Sequence, residues 1–296
     1  MDIPPGINIE AANESKVCRL KKALYGLKQS PRAWFGRFST SMKKFGYSQS
    51  NADHTLFIKR KEEKITALIV YVDDMVLTGD DLEEMEKLEN YLNTEFEMKS
   101  LGELKYFLGI EISRSKQGIS LSQRKYTLDL LTETGMLNCK PTGTPMEMNH
   151  TLGIYPDQIA TDIGRYQRLV RRLIYLSHTR PDIAYAVSVV SRFMHSHSID
   201  YMEAVFRILR YLMGTVGKGL LFKKTNISSI EGYCDSDWAR DKTTRRSTSR
   251  YFTFVEGNLV TWKSKKQKVV ARSSAEAEYK GMAQGVCELL WIKKVL

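Results

Sequence analysis

Two adjacent carboxylates, Asp73 and Asp74, stand inside IVYVDDMVLTG, a run that is otherwise apolar and β-branched. Burying a polar group without a partner costs roughly 2 kcal/mol or more, and an ionised one far more. At the tip of a β-hairpin the natural partner is a divalent metal. Carboxylates suit Mg²⁺, which keeps several waters and takes substrate phosphates as its other ligands. Two such ions about 4 Å apart clamp the attacking and leaving oxygens of an in-line phosphoryl displacement. The bland alternative is an Asp-Asp turn on a wet surface. Flanking strands this apolar weigh against it, because a hairpin from a buried sheet presents its tip to a cleft.

The elements that must position these acids follow from pattern. TLFIKRKEEKITALIVYVDDMVLTG reads as a strand, a turn at Lys61–Lys64, a strand over 65–71, a tight turn at Val72–Asp74 and a strand over 75–78. Before it, SPRAWFGRFSTSMKKFGY predicts a helix with Ser30 as N-cap and Pro31 in its first turn. Trp34, Phe38, Met42 and Phe45 form its apolar face. After it, a helix capped by Asp80 or Asp81 turns Leu82, Met85, Leu88 and Leu92 inward. KYFLGIEISRSKQGISLSQ predicts a hairpin, and KYTLDLLTETGM a short helix closed by Gly135. A Pro/Gly/Thr-rich linker follows, then helices over 164–178, 181–195 and 200–213. Residues 228–272 turn to strand character with a turn at Glu256-Gly257-Asn258. The chain closes on a long helix. Ser273 and Glu276 have capping-box spacing, and Ala275, Tyr279, Met282, Val286 and Leu289 form its apolar stripe with Glu278 at the margin.

Composition bounds the class. The chain has 296 residues, which suggests about two domains. With 42% apolar and 27% charged residues it is globular. A net charge of +11 and a pI near 9.3 favour a polyanionic partner, most simply nucleic acid. Cys18, Cys139, Cys234 and Cys287 lie far apart with no CxxC pair, so no disulfide partner and no zinc site is expected, and an intracellular, reducing compartment (cytoplasm or nucleus) fits. The His195-Ser196-His197 group reads as surface. The apolar runs are too short for a membrane span, and the N-terminus has no signal-peptide core.

YVDD at 71–74 resembles the polymerase signature of reverse transcriptases, and LYGLKQSPRAW at 24–34 is similar to that of copia-type retrotransposons. KYFLGIEI resembles the primer-grip hairpin of that family. YLSHTRPDIAYAVSVVSRFM and RILRYLMGT resemble its connection region, and YCDSDWARDKTTRRSTS with SKKQKVVARSSAEAEY the start of its RNase H domain. The motifs come in family order over nearly the whole chain. The resemblance implies an α+β protein: partial palm and thumb over 1–150, a helical connection over 151–227, and a truncated RNase H-like α/β unit over 228–296. It implies Asp73 and Asp74 as metal-binding acids, Tyr71 near the primer end, and Gly26, Lys28, Gln29, Pro31 and Arg32 on the nucleotide and template loop. In the second unit it implies Asp235 and Glu278 as catalytic, metal-binding acids. Asp237 is a rival to Asp235, since strand alternation puts both on one face. Lys263, Lys265 and Lys266, in the run KSKKQK, either hold the backbone phosphates of an RNA–DNA hybrid or end a solvated hairpin. The implied cofactor is Mg²⁺ (or Mn²⁺), and the implied partners are RNA/DNA template-primer, RNA–DNA hybrid and dNTP, with no membrane.

The pattern also departs from the family. The polymerase needs a further Asp on a strand before LYGLKQSPRAW, where only Asp2, Glu10 and Glu14 occur. RNase H needs a later Asp, and none follows Glu278. Arg250 and Arg171 stand where the family usually has small residues. The expectation is a fragment of an RNA-directed DNA polymerase with RNase H, inactive as this chain; the alternative is a non-catalytic basic remnant that binds nucleic acid.

Overall fold

The computed structural model describes residue 24 and residues 26–72, 74–96, 98–148, 150, 152–155, 157–196, 198–225, 229–241 and 243–296. Residues 1–23 and Asp73 lie outside the described residues. The chain divides into two compact units, residues 1–100 and 101–296.

The first unit runs α1 (Ser30–Lys44), β1 (Ser48–Gln49), β2 (Leu56–Lys61), β3 (Lys64–Tyr71), β4 (Asp74–Gly79) and α2 (Leu82–Phe96). Its strands form one antiparallel sheet in the order β1-β2-β3-β4. Alternation along β3 buries Thr66, Leu68 and Val70 and leaves Ile65, Ile69 and Tyr71 exposed, as the two-residue period of a strand requires. The buried face meets Phe38 and Met42 of α1 and Leu88 and Leu92 of α2. Phe38, Met42 and Phe45 of the expected α1 stripe thus lie on its packed face, while Trp34 is exposed and stacks on Phe38 with ring centroids 5.2 Å apart. The cap lies one residue earlier than expected. Gln29 is the N-cap, and Ser30 Oγ donates to the Leu24 carbonyl at 2.5 Å. Of the two cap candidates for α2, Asp81 accepts from Glu84 N at 3.2 Å, while Asp80 takes Ile65 N at 2.7 Å. The inner face of α2 differs at its start: Leu82 is exposed and Glu84 is buried. Lys59 Nζ reaches Glu84 Oε1 at 2.8 Å, and the Tyr47 hydroxyl donates to the same oxygen at 3.3 Å. A buried carboxylate is tolerable only with such partners.

The second unit opens with β5 (Tyr106–Phe107), β6 (Ile110–Ser115) and β7 (Gly118–Ser122). Helices α3 (Arg124–Glu133), α4 (Ile163–Leu176), α5 (Pro181–Val190) and α6 (Ile199–Met213) follow, with a 3₁₀ turn over Ser191–Phe193 after α5. β8 (Gly219–Phe222) returns to pair with β7, giving a sheet β5-β6-β7-β8. Leu130, Tyr166, Leu169, Leu173, Val190 and Leu209 are fully or almost fully buried in the helical core. Arg180, 1% exposed, is the largest side chain buried there. It forks onto Asp182 at 2.9 and 2.7 Å and donates to the Thr215 carbonyl at 3.0 Å. Burial pushes the Asp182 carboxyl up, but the Arg180 hydrogen bond and charge, with the Tyr211 hydroxyl, outweigh it and hold it below the ordinary range.

A second sheet has the order β11-β10-β9, from β9 (Ile230–Asp237), β10 (Thr248–Val255) and β11 (Asn258–Lys266), and α7 (Ser274–Val295) closes the chain. Ser273 caps α7 by accepting from Glu276 N at 3.1 Å, and Glu276 reaches back to Arg272 N at 2.7 Å. The expected stripe of α7 is overturned except at Leu289, which packs on β9. Tyr279, Met282 and Val286 are exposed, and Ala277, Gly281, Gly285 and Ile292 are buried. The helix lies so close to β9 that a Cβ at Gly281 would sit 2.5 Å from Ser236 Oγ, and one at Gly232 would sit 2.8 Å from Leu289. Small residues permit that approach, and large ones cannot. The opposite face of the sheet meets α5 and its surroundings: Ser188 Oγ contacts Ser264 Oγ at 3.3 Å, and Trp262 Nε1 donates to the Ser177 carbonyl at 3.1 Å. Helices and antiparallel strands occupy separate stretches of chain, the α+β arrangement. No described helix is long and apolar enough to cross a membrane.

Candidate functional site

β3 ends at Tyr71 and β4 begins at Asp74, the two residues pair in register, and Val72 follows β3 as a turn residue. Two-residue hairpins need positive φ at the first loop position, and Val72 adopts φ +52°. A β-branched side chain there is strained by about 1–3 kcal/mol, so the surrounding sheet must impose the turn. Register places Tyr71 and Asp74 with Ile69 and Val76, on the face opposite the one that α1 and α2 cover. Tyr71 is 55% exposed, and Asp74 is exposed with no ion-pair partner among the described residues. The arrangement offers a polymer an open apolar sheet face with an acid at its rim. The turn before α1 carries Gly26, with φ +89°, then Lys28 and Gln29; Pro31 and Arg32 sit on the helix's first turn. All five are exposed, and Ser30 N closes the turn on the Leu27 carbonyl at 3.0 Å.

The second acidic group is brought together across an edge. β9 is the outer strand of its sheet, and Glu278 Oε1 accepts from Ser236 N at 3.3 Å, so the helix acid reaches the outward-turned amide next to Asp235. Asp235 and Asp237 point to the face away from α7, as alternation predicts. There Arg250, paired with Asp235 in register, donates Nη1 to Asp235 Oδ2 at 3.2 Å and Nη2 to Asp237. Its guanidinium also lies 5.2 Å from the Tyr185 ring centroid, and its Nε is buried without a hydrogen bond among the described residues. A cation already sits between the two carboxylates that would otherwise compete for a metal. Among the described residues, no three His, Cys, Asp or Glu side chains converge on a metal position. As arranged, Asp235 and Glu278 do not fit a divalent ion, whereas Asp74, a free carboxylate, has the donor chemistry that a hard cation takes.

The expected lysines separate. Lys266 is tied to Asp241 at 2.9 Å. Burial raises the Asp241 carboxyl, but the Thr244 amide and Lys266 outweigh that and hold it at about 2. Lys263 and Lys265 are exposed along β11, beside Lys280 of α7. The bridging position of Arg250 and the contribution of Lys280 are features that motif reading missed. Strand register could have signalled the first, since Arg250 lies one strand away from Asp235.

A family model described as reverse transcriptase (RNA-dependent DNA polymerase) matches residues 1–148. The chain is 43% identical over 296 residues to the retrovirus-related Pol polyprotein from transposon RE1 of Arabidopsis thaliana, all of this chain and 20% of that protein. It is 38% identical over 306 residues to the Pol polyprotein from transposon TNT 1-94 of Nicotiana tabacum, covering 23% of that protein. An uncharacterized mitochondrial protein of Arabidopsis thaliana is 40% identical over 228 residues, 76% of this chain and 93% of that one. The chain thus spans about a fifth of the length of the Pol polyproteins it matches first. No solved structure matches it.

Proposed function

The chain belongs to the reverse transcriptase family of copia-type retrotransposon Pol polyproteins, and from that premise we propose that it is a polymerase segment that seats template-primer on the outer face of the β3–β4 hairpin. In this reading residues 1–150 are palm and thumb, 151–227 the connection, and 228–296 the beginning of an RNase H-like unit. The observation that carries it is the hairpin itself: a tight turn with Tyr71 and Asp74 on a sheet face that no described helix covers, inside the residues that the family model covers. That coverage also favours a polymerase segment over a generic basic remnant.

The ancestral reaction joins a primer 3′-hydroxyl to the α-phosphate of a dNTP and releases pyrophosphate. Asp73 and Asp74 are the residues that would hold Mg²⁺ (or Mn²⁺), whose charge, when bound, stabilises the oxygens of an in-line displacement. The chain's own residues bind and orient. Tyr71 stands at the primer end, Lys28 and Arg32 offer charge to phosphates, and Gly26 allows the loop its left-handed bend. Among the described residues no further acids join Asp74, and two Mg²⁺ ions take more oxygen ligands than one pair of carboxylates supplies.

Two measurements test the reading. A primer ending in 4-thiothymidine, irradiated on the chain, is expected to cross-link within 71–79; cross-links confined to other segments would overturn the placement. Mg²⁺-dependent primer extension by the purified chain is expected to be absent, and incorporation that Asp73→Asn abolishes would show that expectation wrong.

A further inference from the structure

Between α7 and β11 lies a cleft of about 560 Å³ whose walls carry Lys263, Lys265, Lys266, Lys268 and Lys280. Glu288, the one carboxylate among its described lining residues, is engaged, accepting a hydrogen bond from the Tyr251 hydroxyl at 2.9 Å. Lys266 and Lys280 are neutralised by Asp241 at 2.9 Å and Glu276 at 2.6 Å. Lys263, Lys265 and Lys268 have no ion-pair partner among the described residues. Three uncompensated ammonium groups around one concavity repel one another, and a cleft focuses their field on whatever enters it. The remaining wall is not polar: Val269, Ala283 and Cys287 face the same space. Gln267, also lining it, is 4% exposed. Its Nε2 donates to Ser249 Oγ and to the Ala277 carbonyl, both at 2.9 Å, while Oε1 accepts no hydrogen bond among the described residues. An unmade bond at a buried acceptor is costly, so an occupant that also carries a donor would gain by filling it.

The occupant must be anionic at intervals, partly apolar and able to donate a hydrogen bond. Inorganic phosphate has the charge but leaves the apolar wall wet. A nucleic-acid duplex keeps its bases stacked inside and is too wide to enter. A single strand satisfies all three conditions, as basic grooves with apolar walls do elsewhere, and the volume falls within the range of roughly 300–1,000 Å³ that small ligand sites occupy. We propose that this cleft is a binding site for single-stranded polynucleotide, whose phosphates are held by Lys263, Lys265 and Lys268. It lies on the β11 side of α7, whereas Glu278 and Asp235 lie on the β9 side. The inference deepens the template-primer reading and rests on it only for the identity of the anion.

Cys287 makes the site observable, because it is exposed and forms part of the wall. On the full chain, the rate of N-ethylmaleimide addition to Cys287 is followed by mass spectrometry with and without an oligo(dT) strand. By mass action a strand at ten times its dissociation constant slows that rate about tenfold, while Cys234, on β9, reacts unchanged. The charge reversals K263E/K265E, both at exposed positions, are expected to remove the protection without moving the melting temperature. Equal protection by a duplex of the same length, or by tripolyphosphate alone, would overturn the single-strand assignment. Salt-sensitive strand binding with Cys287 unprotected would overturn the cleft and leave the template-primer reading standing. No strand binding at all would overturn both.

Discussion

Arg250 shows how one side chain can change what a group of acids does. Its guanidinium bridges Asp235 and Asp237 and stacks on Tyr185, so the charge that a metal would supply is covalently part of the chain. The bridge is also a staple, since Tyr185 belongs to α5 and the two acids to β9. Removing the guanidinium frees two same-face carboxylates, with Glu278 at the edge beside them. R250G is therefore expected to gain a Mn²⁺ site that electron paramagnetic resonance detects and that R250G/D235N loses. The unmodified chain is expected to show no Asp235-dependent Mn²⁺ binding. The same change loses about 1 kcal/mol of stability, because the ion pairs it breaks are partly exposed. Asp235-dependent Mn²⁺ binding by the unmodified chain would sink this account of the site.

At the scale of elements, two glycines on two helices should respond oppositely to the same substitution. Gly36, inside α1, has nothing within 4 Å of where its Cβ would be, and Gly281 has Ser236 Oγ at 2.5 Å. Alanine at position 36 recovers helix propensity, about 0.8–1 kcal/mol. At position 281 that gain is opposed by overpacking of about 1–3 kcal/mol, so G36A should stabilise and G281A destabilise in urea titrations. Equal effects would mean that α7 does not press on β9. The contrast also explains what was legible beforehand. The β3–β4 hairpin was readable because alternation and a tight turn are local signals, and residues 66, 68 and 70 are buried on schedule. The stripe of α7 was misread because hydropathy favours Tyr279, Met282 and Val286, whereas a helix lying close on a sheet selects Ala277, Gly281 and Gly285. Leu82 and Glu84 exchanged roles for a similar reason, since Lys59, remote in sequence, makes a buried carboxylate tolerable. Lys280 could not be joined to the KSKKQK run until the turn before α7 folded back.

At the scale of the whole chain, the two units differ in how their sheets end. β3 has a hydrogen-bonded neighbour on each side, whereas β9 has one neighbour among the described residues, β10. In an antiparallel pair, residues alternate between turning their amides toward the partner and away from it. Ser236 N faces away, since it meets Glu278. The same alternation turns the amides of Gly232 and Cys234 outward. An edge of this kind is a template for another strand, and its amides exchange without any opening of the sheet, unlike those of β3. Hydrogen exchange on the dilute chain should therefore leave Gly232 and Cys234 nearly unprotected, Ser236 partly protected by Glu278, and Leu68 and Val70 strongly protected. Protection at 232 and 234 that appears only as protein concentration rises would reveal edge-to-edge pairing between copies. Protection at 232 and 234 equal to that at 68 and 70 in dilute solution would mean that β9 is covered, and the edge assignment would fall.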